Sequence, residues 1–390
     1  MRYLFLQLLF LINLSLTAQP QKQFYKFSAD IASEIAKDTT PWKYQMGATA
    51  YSISGYYQEA LTEWDKIGGP IHKLSSDDSL YLKAFRPVTA SDYIIERSKN
   101  EKLIIINEAH HNSMHRVFTN SLLKGLYDNG FTYFGLEAVA DTMINSRGYV
   151  TSETGYYTNE PHFANLINDA LAIGFTVFGY EAKGVNGKQR EIEQAQDIQR
   201  IISENPSTKI LIHCGWEHVI EGTPGNKGWE KAMAGRVKEL TNIDPFTIDQ
   251  THYSERGNAT FNHPYIQMVN QGQSVIMLDD TGKTFNGSPT ANQTDSRIIH
   301  PITTYVNGRA VWLLMNGARK FHGIETSGIA YPFLVKAYND THGPLAIPVD
   351  IIEVTAAGSS SHLVLRPGKY KIVILDKNHE VLKEYIEVID

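Results

Sequence analysis

Five apolar runs in the chain end on side chains that can move protons or hold a metal. KLIII leads into Glu108 and His110, FTYFGL into Glu137, and FTVFGY into Glu181. TKILI leads into His213, with His218 five residues on, and DPFTI into Asp249 and Gln250. Carboxylates and imidazoles are the groups that exchange protons near neutral pH, and together they also suit divalent first-row metals. A histidine oriented by a glutamate could activate water against a carbonyl, and the same residues could ligate an ion that does so. Plainer readings exist for each residue. A glutamate just past a strand often serves the first turn of the next helix, which applies most to Glu181, before Lys183 and Gly184. His213 and His218 in IHCGWEHV could be satisfied core histidines, although two imidazoles around a Gly-Trp turn are more suggestive of a site. In NEAHHNSMHR, His111 and His115 lie one helical turn apart, and at least one of the three histidines there is expected merely to be solvated.

The elements around these residues follow a regular rhythm from Asp92 onward. Strand-like runs alternate with helix-length segments over Met114 to Tyr127, His162 to Ala172, Arg190 to Glu204 and Trp229 to Glu239. This is the pattern of parallel βαβ units, and strands so apolar throughout belong in a sheet covered on both faces. The expected fold is therefore α/β, a parallel sheet flanked by helices in three layers. Ligands of open α/β sheets bind beyond the carboxyl ends of the strands. Glu108, His110, Glu137, His213 and His218 are accordingly expected to converge in one pocket there, with Glu181 and Asp249 at its rim. The near-repeat of GFTYFGLEA (130–138) as GFTVFGYEA (174–182) would then serve to deliver an acid twice to that edge. Cys214 follows His213 directly and should face the other side of the sheet.

The flanking regions read differently. Residues 1–18 combine Arg2, an apolar stretch and the small residues Thr17 and Ala18, the form of a secretory signal peptide. The apolar run is shorter than the ~20 residues of a spanning helix, so the expectation is an exported chain, periplasmic or secreted, without a retained membrane anchor. Residues 19–75 read as a helical hairpin. Within it SGYYQEALTEWDKI resembles half of a tetratricopeptide unit, a surface that could serve a protein partner, but one unit makes no array. The α/β domain spans 76–345, with a lid-like insertion after 264 that includes a strand in RAVWLLMN. Residues 346–390 alternate apolar and polar around Arg366-Pro367-Gly368 and Asp376-Lys377-Asn378, which predicts a small antiparallel β domain. With one cysteine in 390 residues the chain can form no internal disulfide. A net charge of -6 without basic runs argues against nucleic acid and leaves a small-molecule substrate as the expected partner. Neither a G-x-x-x-x-G-K-[ST] loop nor a G-x-S-x-G elbow occurs.

Taken together, NEAHHNSMHR, FGLEA, REIEQAQDIQRI and IHCGWEH resemble the motifs of the erythromycin esterase-like, ChaN-like and TIKI-type proteins, over Asp92 to about Glu255. Asn107 and Asp197 depart from the usual Gly and Asn. The resemblance implies that Glu108, His110, Glu137 and His213 or His218 take catalytic or ligand positions, and that Arg190 is the family's helix arginine. It implies a water-activated ester or lactone hydrolase, with amides as a further class. Arg116 and Arg190 would hold the oxyanion or substrate, and His115, Glu181 and Asp249 would complete the binding site. A metal-assisted form would place Zn, Mn or Fe on Glu108, His110, Glu137, His213 and His218. The alternative it implies is an envelope protein that binds haem, iron or another small ligand without catalysis.

Overall fold

The computed structural model describes residues 24–288 and 293–390; the expected signal peptide lies outside them. At its centre are six parallel strands: β1 (Leu103–Glu108), β2 (Phe131–Leu136), β3 (Thr176–Gly179), β4 (Lys209–Gly215), β5 (Phe246–Asp249) and β6 (Ser296–Arg297). They lie in the order β3-β2-β4-β1-β5-β6. This is the expected α/β architecture. Alternation along β1 and β4 explains why helices cover both faces. Ile104, Ile106 and Leu211 face one core with Phe134 and Leu136, whereas Leu103, Ile105, Ile210, Ile212 and Cys214 face the other. Cys214 thus points away from the face that holds its neighbour His213.

Helices α1 (Ser113–Asp128) and α2 (Pro161–Ile173) cover the first face, and α3 (Gly187–Glu204) and α4 (Met233–Thr241) the second. Their ends have local causes. Asn112 accepts the Met114 amide at 3.1 Å to start α1. Glu160 accepts the Phe163 amide at 2.7 Å ahead of Pro161, and α2 closes on Gly174 at φ +117°.

Three expectations change. Residues after 264 do not form a lid over the sheet: β6 completes it, and Val275–Leu278 pairs antiparallel with Arg86–Thr89. RAVWLLMN is a two-residue strand running into a tight helical turn over Val311–Gly317, because its apolar side chains pack against Tyr57 and Val364 instead of a ladder. The N-terminal region is three helices, Ser28–Lys37, Lys43–Ile53 and Tyr57–Asp65, rather than a hairpin. The break falls at Gly55, whose φ of +87° and approach to the Ile351 carbonyl, 2.7 Å from where a Cβ would sit, leave no room for a side chain. At the other end β7 (Phe333–Asn339), β8 (Asp350–Val354), β9 (Gly368–Leu375) and β10 (Val381–Ile389) form an antiparallel sheet in the order β8-β7-β9-β10, so this sheet begins upstream of residue 346. Among the described residues no helix is long and apolar enough to cross a membrane.

Candidate active site

The alternation that buries Ile104 and Ile106 also carries Glu108, two residues on, toward α1 and α2, where it is 1% exposed. A bare carboxylate there would be costly, and Arg116, in the first turn of α1, meets it with a two-pronged contact. Arg116 Nε donates to Oε2 and Nη2 to Oε1, both at 2.6 Å, while Nη1 donates to Glu160 Oε2 at 3.0 Å. His213 Nε2 adds a contact to Glu108 Oε2 and His110 Nδ1 one to Oε1, each at 2.9 Å. Burial pushes the Glu108 carboxyl up, but the Arg116 charge and the bonds from His110, His213 and Arg116 outweigh it and hold the group well below its ordinary range. Glu160, which shares Arg116, is pushed up by burial despite that charge.

A second centre lies at the tips of β2 and β4. Glu137 Oε2 accepts the Gly215 amide at 2.7 Å, and Oε1 accepts from Arg190 Nη2. Arg190, in the first turn of α3, also donates from Nε to Glu181 Oε1 at 2.9 Å, which Gln194 Nε2 steadies at 3.0 Å. One guanidinium therefore gathers the two strand-end glutamates. Beside it, His218 Nδ1 donates to the buried Glu191 at 2.8 Å, and the same Glu191 oxygen accepts the Met233 amide. His218 Nε2 lies 3.2 Å from Arg190 Nη1 and 3.6 Å from Glu137 Oε1. The neutral ring accepts from the arginine, and the protonated ring offers its proton toward Glu137. Burial opposes that proton, but the Glu137 charge and the Glu191 contact raise the His218 pKa above its ordinary value. Burial also raises Glu137, yet His218, Arg190, His110 and the Gly215 amide bring it down to about 2.

The two centres meet in one open pocket of about 240 Å³, lined by His110, Glu137, Glu181, Arg190 and His218 with the aromatic rings of Tyr157, Trp216 and Trp229. His110 stacks on Tyr157 with ring centres 4.0 Å apart, and His218 on Trp229 at 4.8 Å. Both imidazoles are thus fixed by a carboxylate at Nδ1 and an aromatic ring on one face. Gly215 between them is a close-approach glycine: a Cβ there would stand 2.7 Å from His110 Nε2 and 3.3 Å from Glu137 Oε2. A larger hollow of about 400 Å³ outside α1 contains no titratable group in its lining, and another of that size is lined by Asp78, His252, His263 and Arg297 away from the strand-end glutamates.

No family model and no curated protein matches the chain. Solved structures that it resembles include a toxin effector domain, a type III effector and bacterial protein toxins. RRSP, a MARTX toxin effector domain from Vibrio vulnificus CMCP6, is 16% identical over 59% of this chain and 48% of that one, with a TM-score of 0.33. The type III effector HopBA1 is 14% identical over 46% of this chain and 94% of that one, with a TM-score of 0.31. A third structure, described as bacterial protein toxins, is 19% identical over 54% and 46%, with a TM-score of 0.32. The chain spans about half the length of RRSP.

Of the residues singled out from the sequence, Glu137, His110, His218, Glu181 and Arg190 line the pocket, and Glu108 backs it. Four do not line it. His213 is 1% exposed and sits behind Glu108 as a buttress, its parity turning it toward Phe163. Arg116, also 1% exposed, spends its donors on Glu108, Glu160 and the His110 carbonyl, so it faces no substrate. His115 is sealed under α1, where Nδ1 accepts the Ala109 amide at 3.0 Å. Asp249 lies across β1, organising its own loop through Asn107, Thr251 and His252. Asn107 is thus a staple between strand tips, a task glycine could not perform. The sequence reading missed Glu160, Glu191, Tyr157, Trp216 and Trp229. Glu160 before Pro161 and Glu191 beside Arg190 carried signals that could have found them: a cap followed by proline, and an acid adjoining a singled-out arginine.

The carboxylate oxygens that a metal would need are occupied. Both oxygens of Glu108 and both of Glu137 already accept from nitrogen donors, and among the described residues no three His, Cys, Asp or Glu side chains are grouped to hold an ion. No step below runs through a metal.

Proposed function

We propose that the chain is a hydrolase of esters or lactones, with amides as a further class, that works by paired histidines. One observation carries this reading. Two imidazoles, each with Nδ1 on a buried glutamate, flank Glu137 in a single pocket. With Glu108 ionised, His110 keeps its proton on Nδ1 and presents a basic Nε2 to the pocket. It takes a proton from water as the oxygen adds to the substrate carbonyl. Arg190, the one permanent cation in the pocket lining, has its nitrogens on Glu137, Glu181 and His218 and supplies positive charge near the oxyanion that forms rather than a free donor to it. His218, whose proton is favoured by Glu137 and Glu191, then gives it from Nε2 to the departing oxygen or nitrogen as that bond breaks. No covalent intermediate is required. The test is a panel of ester, lactone and peptide substrates offered to metal-free protein, with His110→Asn as the paired variant. Hydrolysis that survives chelation and is lost in the variant is the expected result. A protein inert toward the whole panel that instead retains or takes up a Soret-absorbing ligand would favour the haem-binding alternative.

A further inference from the structure

The antiparallel sheet ends in an unusual edge. Among the described residues β10 pairs only with β9; it is nine residues long and leaves Val381, Leu382, Ile386 and Val388 59%, 49%, 46% and 64% exposed. A long edge strand is an open template for another strand, and here four exposed apolar side chains are interspersed with Lys383, Glu384 and Glu387, charges that restrict what can pair with it. On the face that carries Ile386, the neighbouring strands β7 and β9 are covered, with Phe27 packing on Leu334, Val373 and Leu375. That cover stops short of β10.

We propose that β10 pairs antiparallel with β10 of a second copy of this chain, about a two-fold axis at Tyr385. The charges on the strand select this register. With Tyr385 opposite its own equivalent, Lys383 faces Glu387 twice, Leu382 faces Val388 twice and Glu384 faces Ile386 twice. Opposite charges directly across a strand pair are favourable. An axis one residue earlier sets Glu384 against itself, and one residue later it sets Glu384 against Val388 and Glu387 against Tyr385, which leaves the lysine without an acid. The existing partners of these groups are loose: Glu387 lies 3.6 Å from His322, and the Lys383 ammonium rests 4.9 Å over the Tyr385 ring. Across the axis Leu382 meets Val388 and Ile386 flanks Glu384, so the apolar side chains of both copies pack in two patches beside the charged pairs, with Lys369 and Lys371 of β9 next to Val388 and Ile386. A single strand edge is small beside the roughly 800 Å² per partner of a stable interface, so the dimer is reversible.

Sedimentation velocity of the full chain from about one to about one hundred micromolar, the range in which small interfaces associate, reads this directly. The parent should pass from monomer to dimer. Lys383→Glu and Glu387→Lys should each weaken the dimer at least about tenfold by opposing like charges twice, and the double variant should restore it. Ile386→Lys should abolish it, with circular dichroism checking that every variant folds. A parent that stays monomeric throughout, whether because residues before 24 cover the edge or because it takes another partner, overturns the proposal. So do single charge reversals that dimerise like the parent, or a double variant that does not recover.

Discussion

Glu137→Gln isolates what the carboxylate contributes at nearly constant shape. The amide can still accept the Gly215 amide through its oxygen, but its NH2 then faces Arg190 and His218, a donor set against donors. A unit charge at the 3.6 Å between Glu137 and His218 is worth about 5 kcal/mol at an effective dielectric near 20. Arg190, at 3.2 Å, opposes it with a similar magnitude. Losing the carboxylate leaves the arginine unbalanced, so the His218 pKa should fall by at least about one unit, or about 1.4 kcal/mol. A general acid needs its proton. The alkaline limb of the pH-rate profile should therefore move to lower pH by at least about one unit, and well above it the rate should fall at least about tenfold below the parent. At lower pH, where His218 is protonated in both proteins, the deficit should narrow. The assay is the pH-rate profile on the best substrate of the panel, with thermal melts to confirm folding. Glu204→Gln, at the exposed end of α3, is the control and should leave the profile intact. A Glu137→Gln protein that folds and keeps both the parent rate and the parent alkaline limb would refute the reasoning.

Four further outcomes are expected. Glu191→Gln should lower the same alkaline limb while substrate KM stays near the parent value, because Glu191 acts through the His218 ring; kcat and KM measured across pH check this. Gly215→Ala should abolish most activity with little loss of stability. Its φ of -86° suits alanine, and the damage comes from a Cβ that displaces His110; activity and melting temperature measured together separate the two. Arg116→Met should destabilise the fold by about 3–5 kcal/mol in denaturant titrations, since it strands Glu108 in the core. Stability should also fall in acid: Glu108 and Glu137 have depressed folded pKa values, so their contribution is complete above the ordinary carboxylate range. It is lost as pH falls through that range, toward about 2 for Glu137 and well below the ordinary carboxylate range for Glu108, which equilibrium unfolding across pH measures.

The parallel sheet was legible because its strands are apolar from end to end and its helices fall at regular intervals, signals that burial itself imposes. Which end-of-strand residues enter the pocket was not. His213 and His218 look alike in IHCGWEH, but His213 still follows the strand's alternation and is turned into the first core, while His218 lies beyond Trp216, at φ +45°, where the chain leaves the sheet. Arg116 reads as a substrate clamp until the structure shows three of its nitrogens committed to Glu108, Glu160 and the His110 carbonyl. Tyr157 and Trp229 come from single tight helical turns, Tyr157–Asn159 and Lys227–Trp229, too short for a periodicity that would mark them as walls of the site. The segment after 264 reads as a lid because its short strands lack βαβ spacing. Two residues, Ser296 and Arg297, suffice to add it to the sheet.

The near-repeat of GFTYFGLEA and GFTVFGYEA does not mark two copies of one structural unit. Its first aromatics agree, since Phe131 and Phe175 pack in the same core. From there the copies diverge: β2 carries a register shift between Phe131 and Tyr133 against β4, which reverses the facing of every later residue. Phe134 consequently lies in the first core and its counterpart Phe178 in the second, and Leu136 and Tyr180 part in the same way. Between the strands Tyr133 pairs with Thr176 rather than with its counterpart Val177, so the repeat is one residue out of step. Glu137 and Glu181 therefore reach the sheet edge at different heights and from opposite parities. A shared strand alone could not have brought them together. The guanidinium of Arg190 does so, with Nη2 on both carboxylates and Nε on Glu181. Two acids so placed repel each other unless a cation lies between them, which makes the first turn of α3, not the repeated strand, the element that assembles this half of the site.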